Sequence, residues 1–263
     1  MGADLFHHFP DLTATADEIL EFSIAELCTK DPERRLRDTR YAQPAVFVVN
    51  TLMGMRKIRE SPDGYRFFAG HSLGEYNALV AAGVIDFATA LKVVKQRGEL
   101  MSTISGGGMS AIQGVPAAFV QRTLRETGLT KVYIANYNAD TQSTIAGDRT
   151  EVAVAAKAIS ALPGARAVPI NVSGPFHTPL MIPVESTLRA VLTDCAFGPA
   201  TGTVVSSVTG NVFEPTEGVD LLSSQVSAPV QWVRAITTLR AAGATVFDEV
   251  NGSTLSALVS RIR

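Results

Sequence analysis

Gly70-His71-Ser72-Leu73-Gly74 stands between a short apolar run, Tyr65 to Ala69, and a helical period carried by Tyr76, Leu79 and Val80. Strand, sharp turn, helix is the order this implies, and the pentapeptide satisfies G-x-S-x-G. A serine in that setting sits on a cramped turn with its hydroxyl exposed, so both flanking glycines are expected to be needed for their size. The N–H of Leu73 and the start of the next helix then face any oxyanion that develops at the serine. Such an elbow requires a strand delivered by a sheet and a helix leaving it, which commits the chain to an α/β fold.

The remaining patterns agree with that commitment. Phe9, Leu12, Ile19, Leu20 and Phe22 give an apolar helical face near the start, with Pro10 early in it. After the charged connector Asp31–Arg37, whose arginines read as a solvated surface, Gln43-Pro44 opens a second helix, and Ser61-Pro62-Asp63-Gly64 is a turn. Asp86 caps a helix through Phe87, Leu91 and Val94, which Gly106–Gly108 ends as a hinge. Residues 107–170 then read strand, helix, strand, strand, helix, strand, the βαββαβ order of a ferredoxin-like unit. Thr178-Pro179 caps and opens a further helix. Val204–Val208 and Thr245–Val250 are β-branched runs suited to interior strands, separated by a helix around Val226–Ala242. The expected architecture is a large hydrolase-like α/β domain with a mostly parallel sheet, residues 1–106 and 171–263. A small ferredoxin-like subdomain, residues 107–170, is inserted into it.

Composition narrows the function classes. The 263 residues carry 23 Lys+Arg against 25 Asp+Glu, a formal charge of -2, which disfavours a nucleic-acid binder held by a basic face. No apolar stretch approaches the roughly 18 residues of a membrane span. Two distant cysteines, Cys28 and Cys195, read as core residues rather than a disulfide framework, so a cytoplasmic protein is expected. No metal cluster or bound cofactor is indicated. Trp232 is expected in the core.

A serine nucleophile needs a general base, and only His7, His8, His71 and His177 are available. The elbow aims His71 away from its neighbour, and His7 and His8 lie on the solvated opening helix. His177, between an apolar strand and a helix start, remains. The positive helix end is expected to keep its ring neutral. No histidine follows it, whereas an α/β-hydrolase esterase places its base late in the chain.

Gly70-His71-Ser72-Leu73-Gly74-Glu75-Tyr76, Ala82-Gly83-Val84-Ile85-Asp86-Phe87, Arg97-Gly98-Glu99-Leu100-Met101, Phe176-His177 and Pro229-Val230-Gln231-Trp232, in that order, resemble the malonyl-CoA:acyl carrier protein transacylases. That family serves fatty acid and polyketide synthesis. The resemblance implies a two-step transfer in which Ser72 takes malonyl from coenzyme A as an ester and a carrier protein's phosphopantetheine thiol removes it. His177 is then base and acid. Arg97, which taken alone reads as a solvated helix residue, is implied as the site of the malonyl carboxylate. Gln225 is implied as the main-chain carbonyl that orients His177, Leu73 as an oxyanion donor, and His71, Asn138 and Phe176 as residues of the acyl site. Phe176 matches the malonyl-selective pattern, in which a bulky ring excludes an α-methyl group. Partners are coenzyme A thioesters and an acyl carrier protein, and a monomer is expected.

The resemblance also carries a departure. The family opens with a strand leading into a Gly-Gln-Gly-Ser-Gln loop, whose glutamine supplies a second oxyanion N–H, and the sequence from Met1 matches the segment after that loop. An internal start codon, a fragment or a degenerate homologue each accounts for this. With them come two alternative functions, a carrier-binding scaffold without catalysis and an acyl hydrolase. Asn251-Gly252-Ser253 stands where relatives often have Gly-Pro-Gly.

Overall fold

The computed structural model describes residues 1–263 apart from Pro62, Asp63 and Ser173. The turn expected at Ser61–Gly64 therefore falls partly outside the described residues. Three short helices, α1 (Leu5–His8), α2 (Pro10–Leu20) and α3 (Ile24–Thr29), open the chain, with Pro10 at the first position of α2 where its missing N–H costs nothing. The long helix α4 runs over Thr39–Glu60 and starts before Gln43-Pro44, because Asp38 caps it by accepting the Arg40 N–H. Pro44 lies inside it.

Strand β1 (Phe67–Ala69) leads through the elbow into α5 (Gly74–Ala81). Asp86 caps α6 (Phe87–Ser102) as expected, accepting from Thr89 N–H. The stretch 107–170 forms β2 (Gly107–Gln113), α7 (Ala117–Thr127), β3 (Val132–Ala139), β4 (Gln142–Asp148), α8 (Arg149–Ser160) and β5 (Arg166–Ile170). Its four strands pair antiparallel in the order β3-β4-β2-β5, the ferredoxin-like arrangement, over a core of their own that includes Ile112, Val120, Ile145 and Ile159.

The chain continues through a 3-10 turn (Pro179–Met181), α9 (Ile182–Thr193), β6 (Thr203–Val205), α10 (Gly218–Ser224), α11 (Trp232–Ala241) and α12 (Thr254–Val259). Strand β6 pairs parallel with β1, so the parallel sheet has two strands among the described residues. Three expectations are corrected here. Thr245–Val250 has no ladder partner and is not a strand; Val246 is 85% exposed, which no interior strand residue would be. The helix expected from Val226 begins only at Trp232, because Val230 is drawn into a bridge with Asn136 on β3. Thr178 does not cap α9: its hydroxyl donates to Pro175 O, and the 3-10 turn intervenes.

That Val230 bridge positions the site. Tyr137 N–H donates to Val230 O and Val230 N–H donates to Ala135 O, both at 2.9 Å, which fastens the edge of the four-stranded sheet to the segment ahead of α11. Asn138 is thereby carried to the elbow. The main core packs α4, α5, α6 and α9 around Phe47, Leu52, Leu79, Leu91 and Leu188. Cys28 and Cys195 are free, the first buried and the second half-buried beyond the end of α9. Among the described residues no helix is long and apolar enough to cross a membrane.

Candidate active site

Ser72 occupies the elbow with φ 52, in the left-handed region that a non-glycine residue adopts only when its surroundings over-determine it. Gly70 is what allows the turn to close, since a Cβ there would run into the backbone of Gly74 and Glu75. The expectation that both glycines are needed for size is half corrected. A Cβ on Gly74 would meet nothing within 4 Å, so that position is not sterically constrained. The Leu73 N–H has no acceptor among the described residues and stands at the start of α5.

His177 is the histidine brought to Ser72. Its Nε2 lies 2.8 Å from Ser72 Oγ, and its Nδ1 lies 2.7 Å from the main-chain oxygen of Gln225. A carbonyl can only accept, so Nδ1 carries the proton and Nε2 is left to receive one from the serine hydroxyl. His177 also has a left-handed backbone, φ 61, pinned by its N–H donating to Val226 O at 2.9 Å. Burial, and then the positive charge of Arg97, push its pKa down to about 3. The ring is neutral as expected, with desolvation and the neighbouring cation as causes.

Arg97 is 1% exposed, which excludes the solvated reading. It sits on the face of α6 that also buries Val93, Val94 and Met101. Its Nη2 donates to Ser72 Oγ at 3.1 Å and to Gln225 Oε1 at 3.0 Å; its Nη1 donates to Gln43 Oε1; its Nε has no partner among the described residues. Among the described residues no carboxylate lies within ion-pair distance of it. Burial lowers its pKa, yet a guanidinium stays charged. A buried cation held by neutral oxygens beside a nucleophile is a site made for an anion.

The remaining residues singled out by the sequence lie around the same turn. His71 Nε2 lies 2.9 Å from Asn138 Oδ1, and Asn138 Nδ2 donates to Thr144 Oγ1 at 3.3 Å. Desolvation holds His71 below its ordinary pKa against the pull of Asn138. Trp232 is buried, as expected, and its ring stacks at a tilt on His71 with centroids 5.7 Å apart. Phe176 packs beside Met109, Ala135 and Ala146, and Gly174 makes room for it, since a Cβ there would run into the Phe176 ring. Gly70, His71 and Leu73 border a cavity of about 340 Å³, and His177, Tyr137 and Pro179 border another of about 370 Å³. His177 itself lines the second cavity, and Ser72 is flanked in sequence by two residues of the first.

Gln43, Glu75 and the side chain of Gln225 were not assigned parts by the sequence, although all three are buried within this network. Glu75 could have been found by period, because it precedes Leu79 by four residues and so shares its buried helix face. Gln43 stands next to the buried run Pro44, Ala45, Phe47 and Val48 on α4.

A serine on a positive-φ strand-to-helix elbow, a histidine tied to a carbonyl and a buried arginine form a candidate active site on an α/β fold. The model of the acyl transferase domain family matches residues 1–259, and the chain belongs to that family. It is 40% identical over 265 residues to the polyketide biosynthesis malonyl CoA-acyl carrier protein transacylase PksC of Bacillus subtilis (strain 168), covering 100% of this chain and 92% of the relative. Identity to the malonyl CoA-acyl carrier protein transacylase of Escherichia coli (strain K12) is 32% over 271 residues, covering 100% and 88%. The crystal structure of the malonyl CoA-acyl carrier protein transacylase from Burkholderia pseudomallei superposes with a TM-score of 0.95 at 39% identity, covering 100% of this chain and 92% of that one. A malonyl-transacylase solved in complex with its type II polyketide synthase acyl-carrier protein gives 0.93 at 32% identity, covering 100% and 88%.

Proposed function

We propose that this chain transfers a malonyl group from coenzyme A to the phosphopantetheine thiol of an acyl carrier protein, in polyketide or fatty acid synthesis. Ser72 Oγ attacks the thioester carbonyl while His177 Nε2 takes the hydroxyl proton. The carbonyl oxygen becomes an oxyanion facing the Leu73 N–H and the start of α5. The C–S bond then breaks, the proton on His177 passes to the departing thiolate, and malonyl remains as an ester on Ser72. In the second half the carrier's thiol gives its proton to His177 and its sulfur attacks the ester. Ser72 leaves with that proton. The Gln225 carbonyl holds the Nδ1–H of His177 throughout, so the ring keeps one tautomer and one orientation.

Arg97 is assigned the free carboxylate of the malonyl group. The observation that carries this reading is a buried guanidinium without a carboxylate partner whose Nη2 reaches the nucleophile at 3.1 Å. A planar fork suits a carboxylate in two-point contact, which would shift Arg97 from serine to substrate. His71 and Asn138 border the acyl group, and Phe176 sets the space at its α-carbon. The relatives' names support the substrate and the carrier partner. We place the inserted unit at 107–170, where the four-stranded sheet keeps a core separate from that around the serine. The steps draw on no bound cofactor. Mass spectrometry of the protein after exposure to malonyl-CoA tests the reading through the ester on Ser72.

A further inference from the structure

Glu75 has no part in the steps above, yet it is wholly buried directly behind the nucleophile. Its Oε2 accepts from Ser207 Oγ and from Gln225 Nε2, both at 2.6 Å, and its Oε1 has no partner among the described residues. A carboxyl group in such a place is costly unless something requires it. What it touches is a residue wired to both halves of the site. The main-chain oxygen of Gln225 holds His177, and its side chain spans from Glu75 to Arg97.

The two ends of a primary amide have nearly the same shape, so a glutamine between an arginine and other groups can settle either way round. Only the oxygen end suits Arg97; the nitrogen end would place donor against donor. Three acceptors surround Gln225 Nε2 and select the orientation: Glu75 Oε2 at 2.6 Å, the main-chain oxygen of Ser72 at 3.1 Å and, at the limit of contact, Ser207 Oγ at 3.5 Å. Glu75 is the nearest of the three, and Ser207 fixes it in turn.

We propose that Glu75 is a positioning residue that acts through Gln225: it anchors the amide nitrogen so that Gln225 Oε1 faces Arg97 and aims the guanidinium at the carboxylate of the acyl group. It does so by the reach of an acceptor oxygen, not by its charge. This rests on the reading of Arg97 as the carboxylate site. The last turn of α10 fixes the Gln225 backbone independently of its side chain, through Gln225 N–H donating to Leu221 O at 3.1 Å, so His177 keeps its main-chain acceptor when the side chain is released.

The test separates aiming from general loosening. Ser72 is labelled with phenylmethanesulfonyl fluoride, which has no carboxylate and reads the serine and histidine alone, and free malonate is added as a competitor that reads Arg97. Glu75→Gln keeps an acceptor oxygen at full length and should need the same malonate concentration for half-protection, within about threefold. Glu75→Asp keeps the charge but falls short by one methylene, and Glu75→Met has neither property. Both should need at least about tenfold more malonate, with the unprotected labelling rate within about threefold of wild type. Protection retained in Glu75→Asp and lost in Glu75→Gln would overturn the proposal in favour of a charge effect. Labelling that falls in step with protection would overturn it in favour of a structural role. Wild-type labelling that malonate does not slow would remove both the Arg97 reading and this inference. Protection by malonate without any malonyl transfer from coenzyme A would contradict the transfer reaction alone.

Discussion

Arg97 Nη2 donates to Ser72 Oγ at 3.1 Å, so the hydroxyl oxygen accepts from a buried cation while His177 Nε2 lies 2.8 Å from the same oxygen. One guanidinium therefore touches the serine oxygen and adds to the burial that keeps the histidine neutral. Replacing Arg97 by Lys leaves a charge but no planar fork. Losing one charge-assisted hydrogen bond of about 1.5–3 kcal/mol predicts a fall of roughly 10- to 100-fold in kcat/KM for malonyl-CoA. Acetyl-CoA, which has no carboxylate to lose contact with, should change less. Steady-state kinetics with the two thioesters measures the difference.

The pH dependence follows from the direction of the His177 shift. The neutral ring is the active form of a base, and a pKa of about 3 keeps it neutral far below the range in which an ordinary histidine becomes protonated. Acylation of Ser72 should therefore stay level as the pH is lowered from about 8 to about 5, with no inflection near 6.5. Arg97→Leu removes the neighbouring cation, so the inflection should move upward from its wild-type position. Burst-phase acylation rates across that range check the first statement, and the same rates carried down toward the wild-type value of about 3 check the second.

The elbow gives a stability contrast between two glycines four residues apart. Gly70→Ala forces a Cβ into the Gly74 backbone and should cost about 2–4 kcal/mol, the upper part of the overpacking range. Gly74→Ala meets open space at the start of a helix and should stay within about 1 kcal/mol of wild type. Thermal unfolding of the two variants should separate them by several degrees.

Phe176 leads to a selectivity prediction. Its ring fills the space beside Met109 and Ala135, and Phe176→Ser should admit an α-methyl group there. One methyl group in an apolar pocket is worth about 10-fold or more in discrimination, so the ratio of methylmalonyl to malonyl transfer should rise by at least that much. Competition between the two thioesters, read by mass, gives the ratio directly.

The parts of this molecule that sequence revealed are those with local causes. The period change at Gly70–Gly74 marks the elbow, Asp86 caps its helix, and the strands of residues 107–170 alternate closely enough to show their order. The failures share a different physics. Thr245–Val250 has strand-like residues, but a strand needs a partner, and nothing in the local sequence states whether one is there. Val226–Val230 looked helical until its Val230 was claimed by β3, a contact from distant sequence. The site divides in the same way. Ser72 follows from its turn and His177 from elimination, whereas the network behind them, Gln43, Glu75 and the Gln225 side chain, exists only because α4, α5 and α10 converge on Arg97. The left-handed backbone of His177 has no glycine to announce it.

The most direct measurement is the intact mass of the protein after brief exposure to malonyl-CoA, compared with Ser72→Ala under the same conditions. The account predicts the gain of one malonyl group on the wild type, its transfer to a holo acyl carrier protein added afterwards, and no gain on the variant. A folded wild-type protein that gains no mass, or a variant that gains the same mass as wild type, would contradict it.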